Sequence, residues 1–137
     1  MTSETAAADA AKAAARAAAA AARAAAHRSR GPDAAVDLAG LFLEGVRVRG
    51  AVSLFWPMRD EIDVRPLMAA LAARGTEICL PVMQGRDRPL LFRRWQAGDR
   101  LVRGTFGVDE PAEDAPEVRP SVVAVPLLAF DGAGNRL

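Results

Sequence analysis

Three carboxylates crowd one short stretch. In "LFWPMRDEIDVRP", residues 54–66, an apolar run ends at Trp56 and Pro57, and Asp60, Glu61 and Asp63 follow at once. Carboxylates at such a junction either cap the next helix or accept hydrogen bonds from the N–H groups of a ligand. Asp63 stands where a helix N-cap belongs, with Pro66 in the first turn behind it. Asp60 reads as a solvated turn residue. Glu61 comes too early to cap, so its carboxylate either decorates a turn or meets the N–H edge of a heterocycle. Trp56 is either a flat surface for stacking a ring or a core or turn aromatic.

Cations form a second pattern. On a helical wheel Lys12, Arg16, Arg23 and His27 fall within an arc of about 60°. That stripe is either a solvated face or one aimed at an anion. A third candidate is "DGAGNRL", residues 131–137, where glycines and Arg136 supply the ingredients of an anion-holding loop. No P-loop, dinucleotide fingerprint, zinc-ligand spacing or nucleophile elbow occurs. His27 is the single histidine, which excludes a histidine-based triad or metal cluster within this sequence.

The elements that must position these residues follow from composition and pattern. At 137 residues the chain has the length of one domain. With 18 basic against 17 acidic residues, net charge +1, bulk attraction to nucleic acid or membrane is not expected. Cys79 is the one cysteine, so no intrachain disulfide forms, and it reads as a small buried residue in a reducing compartment. The alanine tract is interrupted by charges and inserts poorly into bilayers, and it lacks the Leu/Val-rich middle of a signal peptide. The expected location is the cytoplasm.

Residues 1–31 form an alanine-rich helical segment, expected to stop at the breaker Arg30-Gly31-Pro32, and 32–137 form an α/β domain. A second helix is expected from Ala34 to about Glu44, presenting Leu38, Leu41 and Phe42 on one face. "GAVSLFW" reads as a strand buried on both faces, "DVRPLMAALAARG" as a helix closed by Gly75, and "TEICLPV" as the next strand. Strand, helix, strand is a βαβ unit with parallel pairing. "PLLFRRWQ" fits an edge hairpin, residues 99–120 a long surface connection, and "SVVAVPLLAFD" another buried strand.

In order and spacing, "SLFWPMRDEIDVRPLMAALAARGTEICLPVM", "RPLLFRRWQAGDRLVRGTFGVDEP" and "VVAVPLLAFDGAGNRL" together resemble the 5-formyltetrahydrofolate cyclo-ligase (5,10-methenyltetrahydrofolate synthetase) family, over roughly residues 46–137. "KAAAR" is similar to the family's Lys-x-x-x-Arg pair on its first helix. The resemblance implies a three-layer α/β/α sandwich with a mainly parallel, Rossmann-like sheet, and a monomer. It implies ATP- and Mg2+-dependent closure of 5-formyltetrahydrofolate to 5,10-methenyltetrahydrofolate, with ADP and phosphate released. Carried over by residue, Lys12, Arg16 and Arg136 would contact ATP, while Trp56, Met58 and Glu61 would line the folate pocket. In the family "GNRL" runs on into a glycine-rich, tyrosine-containing segment. This sequence has no tyrosine and stops at Leu137, so an incomplete nucleotide site and no turnover are expected of a product ending there. The alternative to an enzyme is a non-catalytic folate-binding or remnant domain.

Overall fold

The computed structural model describes residues 3–137. The first element, α1 (Ser3–Gly45), is one helix of 43 residues. The expected break at Arg30-Gly31-Pro32 and the separate second helix are therefore corrected: α1 runs straight through Pro32. An internal proline costs about 3 kcal/mol by removing a hydrogen bond and crowding the preceding turn. Two things offset that cost. Alanine on both sides favours propagation, and the distal turns are packed, with Ala35 and Ala39 buried. No residue of α1 before Ala35 is fully buried, and residues 3–18 are exposed throughout.

The βαβ unit is present as expected. Strand β1 (Val52–Ser53), helix α2 (Arg65–Ala73) and strand β2 (Ile78–Val82) follow in order, and β1 pairs with β2 in parallel, Val52 opposite Ile78. On the other side β1 pairs in parallel with β6 (Val122–Val123), and β3 (Leu91–Arg94) lies antiparallel to β2. The strand order is β3-β2-β1-β6, a mainly parallel sheet with helices packed on it. Alternation along the strands sends Val52, Leu54, Ile78 and Leu80 into one cluster with Leu67 and Leu71 of α2. Burying each such side chain stabilises the fold by about 1.5–3 kcal/mol.

The formal ladder of β1 is shorter than the seven-residue apolar run suggested, yet 51–55 is buried throughout. Its backbone bonds alternate sides: Leu54 N–H donates to the Cys79 carbonyl at 3.1 Å, and the Ser53 carbonyl accepts from Ala124 at 2.9 Å. The "SVVAVPLLAFD" strand is a correction. It forms the sheet edge rather than a buried strand, with Val123 45% and Val125 56% exposed. Pro126 has no N–H with which to continue the ladder.

A second correction concerns the expected long connection. Strands β4 (Leu101–Arg103) and β5 (Asp109–Pro111) form an antiparallel hairpin there. Gly107, at φ +75°, supplies the left-handed residue that the turn needs. Gly104 is held for a steric reason: an added Cβ would stand 2.8 Å from the Val108 carbonyl and 2.6 Å from a Glu110 carboxylate oxygen. Gly104→Ala is expected to destabilise the protein by about 1–3 kcal/mol, because the backbone contact cannot yield. A urea unfolding curve measures it; an unchanged midpoint would show that the hairpin is not formed in solution.

Cys79, fully buried on the sheet, bears out the reading of a small core residue. Burial pushes its thiol up from 9.0 to about 11. Because the folded value lies above the unfolded one, this contribution to stability is complete below pH 9.0 and is lost as pH rises through about 11. At neutral pH the native thiol is expected to resist a disulfide reagent that labels the urea-unfolded chain at once. Equal labelling rates would contradict the burial.

Candidate functional site

The acidic stretch forms a tight turn at the carboxyl end of β1. Met58 and Glu61 bond reciprocally: Met58 N–H donates to Glu61 Oε2 at 2.9 Å, and Glu61 N–H donates to the Met58 carbonyl at 3.0 Å. Arg59 between them sits at φ +52°, a left-handed conformation uncommon outside glycine. Such strain persists only where its surroundings hold it.

Asp60 is a correction, since it is not simply solvated. Arg23 Nη2 donates to its Oδ1 at 2.7 Å and Arg23 Nε to the same oxygen at 3.0 Å. The wheel had placed Arg23 on the cationic stripe, but no sequence signal named a partner 37 residues away. Asp63 is also corrected in detail. Val64, without a side-chain cap, occupies the N-cap position of α2. One residue upstream, the Asp63 carboxylate reaches Arg65 N–H at 2.9 Å instead, and takes the Arg65 guanidinium through both oxygens, at 2.8 and 2.9 Å. The Arg65 side chain holds the Asp63 carboxyl below its ordinary value, helped by the Arg65 backbone N–H and more weakly by His27.

Trp56 is half-buried, its ring 5.4 Å from that of Trp95 in an edge-to-face pair, with the Arg65 guanidinium 5.7 Å from its centroid. A cleft of about 660 Å³ opens between α1, the acidic turn and residues 124–130. Glu61, Asp60, Arg23 and His27 line it together with apolar walls from α1 and from Leu54 and Phe55 just past β1; Trp56 and Met58 do not. The structure thus brings Glu61 to the cleft and turns Trp56 toward Trp95, while Met58 joins Glu61 through its backbone.

Lys12 and Arg16 lie on the exposed half of α1, outside the cleft wall, and neither makes an ion pair among the described residues. Arg136 is exposed on the closing turn. There the Asp131 carboxylate accepts the N–H groups of Ala133 and Asn135 and the Asn135 side-chain amide, at 2.9, 3.0 and 2.8 Å. These bonds, the Asn135 side chain first, hold the Asp131 carboxyl below its ordinary value. The donors that an anion would use are thereby turned onto Asp131. Among the described residues no three of His, Cys, Asp or Glu cluster as metal ligands, and no helix is long and apolar enough to cross a membrane.

Known proteins resemble this chain in sequence and in fold. The family model for 5-formyltetrahydrofolate cyclo-ligases matches residues 8–137, which takes in most of α1. Relatives named 5-formyltetrahydrofolate cyclo-ligase from Escherichia coli (strain K12) and Haemophilus influenzae are 33% and 30% identical over 91 residues. That stretch is 63% of this chain and 50% and 49% of theirs, so the chain spans about half the length of the curated relatives it matches. The NMR structure of Aquifex aeolicus 5,10-methenyltetrahydrofolate synthetase superimposes with a TM-score of 0.71 at 23% identity, covering 88% of this chain and 63% of that one. The superposition shows the common α/β fold, and the match over residues 8–137 shows the kinship: this chain belongs to the 5-formyltetrahydrofolate cyclo-ligase family.

Proposed function

We propose that this chain serves the ATP-dependent closure of 5-formyltetrahydrofolate to 5,10-methenyltetrahydrofolate. The formyl oxygen is a poor leaving group. Transfer of the γ-phosphoryl group of ATP to it, with ADP leaving, gives a phosphate ester; N10 attacks the activated carbon, phosphate departs and the N10 proton is lost as the ring closes. Such chemistry asks the protein chiefly to align two ligands and to balance phosphate charge.

Glu61 accepts hydrogen bonds from the N–H edge of the pterin, while Trp56 and Met58, which lie outside the cleft wall, flank the turn that holds it. Lys12, Arg16 and Arg136 meet the ATP phosphates. Magnesium would arrive on those phosphates, where it neutralises charge, since Mg2+ keeps water and phosphate ligands and the described residues build no cage for it. The cytoplasm, with its reducing poise, suits the unpaired Cys79.

The observation that supports this reading most is the Glu61 carboxylate on a strained turn at the carboxyl end of a parallel strand, beside an open cleft. That edge of an α/β sheet is where ligands bind. The rival, folate binding without turnover, draws support from the closing turn, whose amides are committed to Asp131. Purified chain mixed with 5-formyltetrahydrofolate, ATP and magnesium tests the proposal by the absorbance of the methenyl product. Product formation supports it, binding without product favours the rival, and absence of both contradicts the folate assignment.

A further inference from the structure

We infer that Arg23 is a positioning residue whose ion pair with Asp60 fixes the Met58–Glu61 turn and, through it, the Glu61 carboxylate. The inference rests on the folate role proposed for Glu61. Arg59 at φ +52° makes the turn intrinsically unfavourable, so something must hold it. Inside the turn the restraints are the two reciprocal Met58–Glu61 bonds. From outside, Arg23 of α1 places two N–H groups on one oxygen of Asp60, at 2.7 and 3.0 Å. Both side chains are mostly shielded, 30% and 26% exposed, so solvent screens the pair less than it would a surface pair.

The geometry suits arginine: its planar fork presents Nε and Nη2 together, where a lysine would offer one point charge. It also divides the cationic stripe by task. Arg23 is spent on Asp60, whereas Lys12 and Arg16, about three and two turns farther out, have no such partner among the described residues. Arg23, Asp60 and Glu61 all face the same cleft, so loosening the pair is felt where a ligand would sit.

Amide hydrogen exchange tests this without any ligand. In Arg23→Ala the Met58 amide is expected to exchange about tenfold faster, while the Leu54 amide, bonded to Cys79 across the sheet, keeps its protection. Asp60→Asn removes the pair from the turn side and should act alike, which guards against a helix-specific defect. With 5-formyltetrahydrofolate as titrant, Arg23→Ala should weaken binding about tenfold, Arg23→Lys less, and Arg23→Ala added to Glu61→Gln not at all. Unchanged Met58 exchange in both variants overturns the inference. Faster exchange with undiminished folate binding in Glu61→Gln leaves Arg23 as the clamp and overturns the folate role of Glu61 instead. Additive losses in the double variant would show that Arg23 does not act through Glu61.

Discussion

If Glu61 holds folate as proposed, Glu61→Gln is expected to weaken binding of 5-formyltetrahydrofolate by about 10- to 100-fold, as loss of a hydrogen bond to a charged group does. The amide keeps the shape of the side chain and one acceptor oxygen, so Met58 N–H retains its partner at the turn. What disappears is the charge and the second acceptor that the proposed pterin contact uses. The fold is therefore expected to survive, with an unchanged thermal midpoint, while calorimetric titration shows the loss. A parallel fall in stability would mean that Glu61 is a structural residue of the turn and little else.

Leu71→Ala gives the largest expected effect on stability. Leu71 is 2% exposed, in the last turn of α2, and joins the cluster that holds the helix to β1 and β2. It does not line the cleft, so the experiment reports on the core alone. Removing its branched end loses transfer free energy and leaves a cavity, together about 2–5 kcal/mol. Urea unfolding should show a lower midpoint with the same slope. A loss well under about 1 kcal/mol would mean that α2 is not packed as described.

These two residues also mark what a sequence reader could and could not see. The β1-α2-β2 unit was legible because its signals are local: an apolar run, Pro66 in a first turn, and Gly75 at φ +78° to end the helix. The break at Pro32 looked equally local, but alanine propensity and packing of Ala35 and Ala39 outweighed it. The β4–β5 hairpin escaped because its strands are three residues each, too short for alternation to register. Val123 lies on an edge strand whose apolar composition is that of a central one, so composition does not reveal its exposure.

At the site, the place of Glu61 after a strand was legible, and so was the family resemblance that gave it a role. The partners were not. Asp60 meets Arg23 and Trp56 meets Trp95 only because α1 and β3 are brought beside the turn by the fold. Likewise "DGAGNRL" advertised glycines and a cation, while its Asp131, which gathers the loop's own donors, decides how those amides point.

The central claim is that ligand meets the turn that holds Glu61. Nuclear magnetic resonance of the labelled chain during titration with 5-formyltetrahydrofolate tests it most directly. Saturable shifts centred on the Met58, Asp60 and Glu61 amides are expected. Saturable shifts confined to other parts of the sheet, or none at concentrations that saturate a full-length relative, would contradict it.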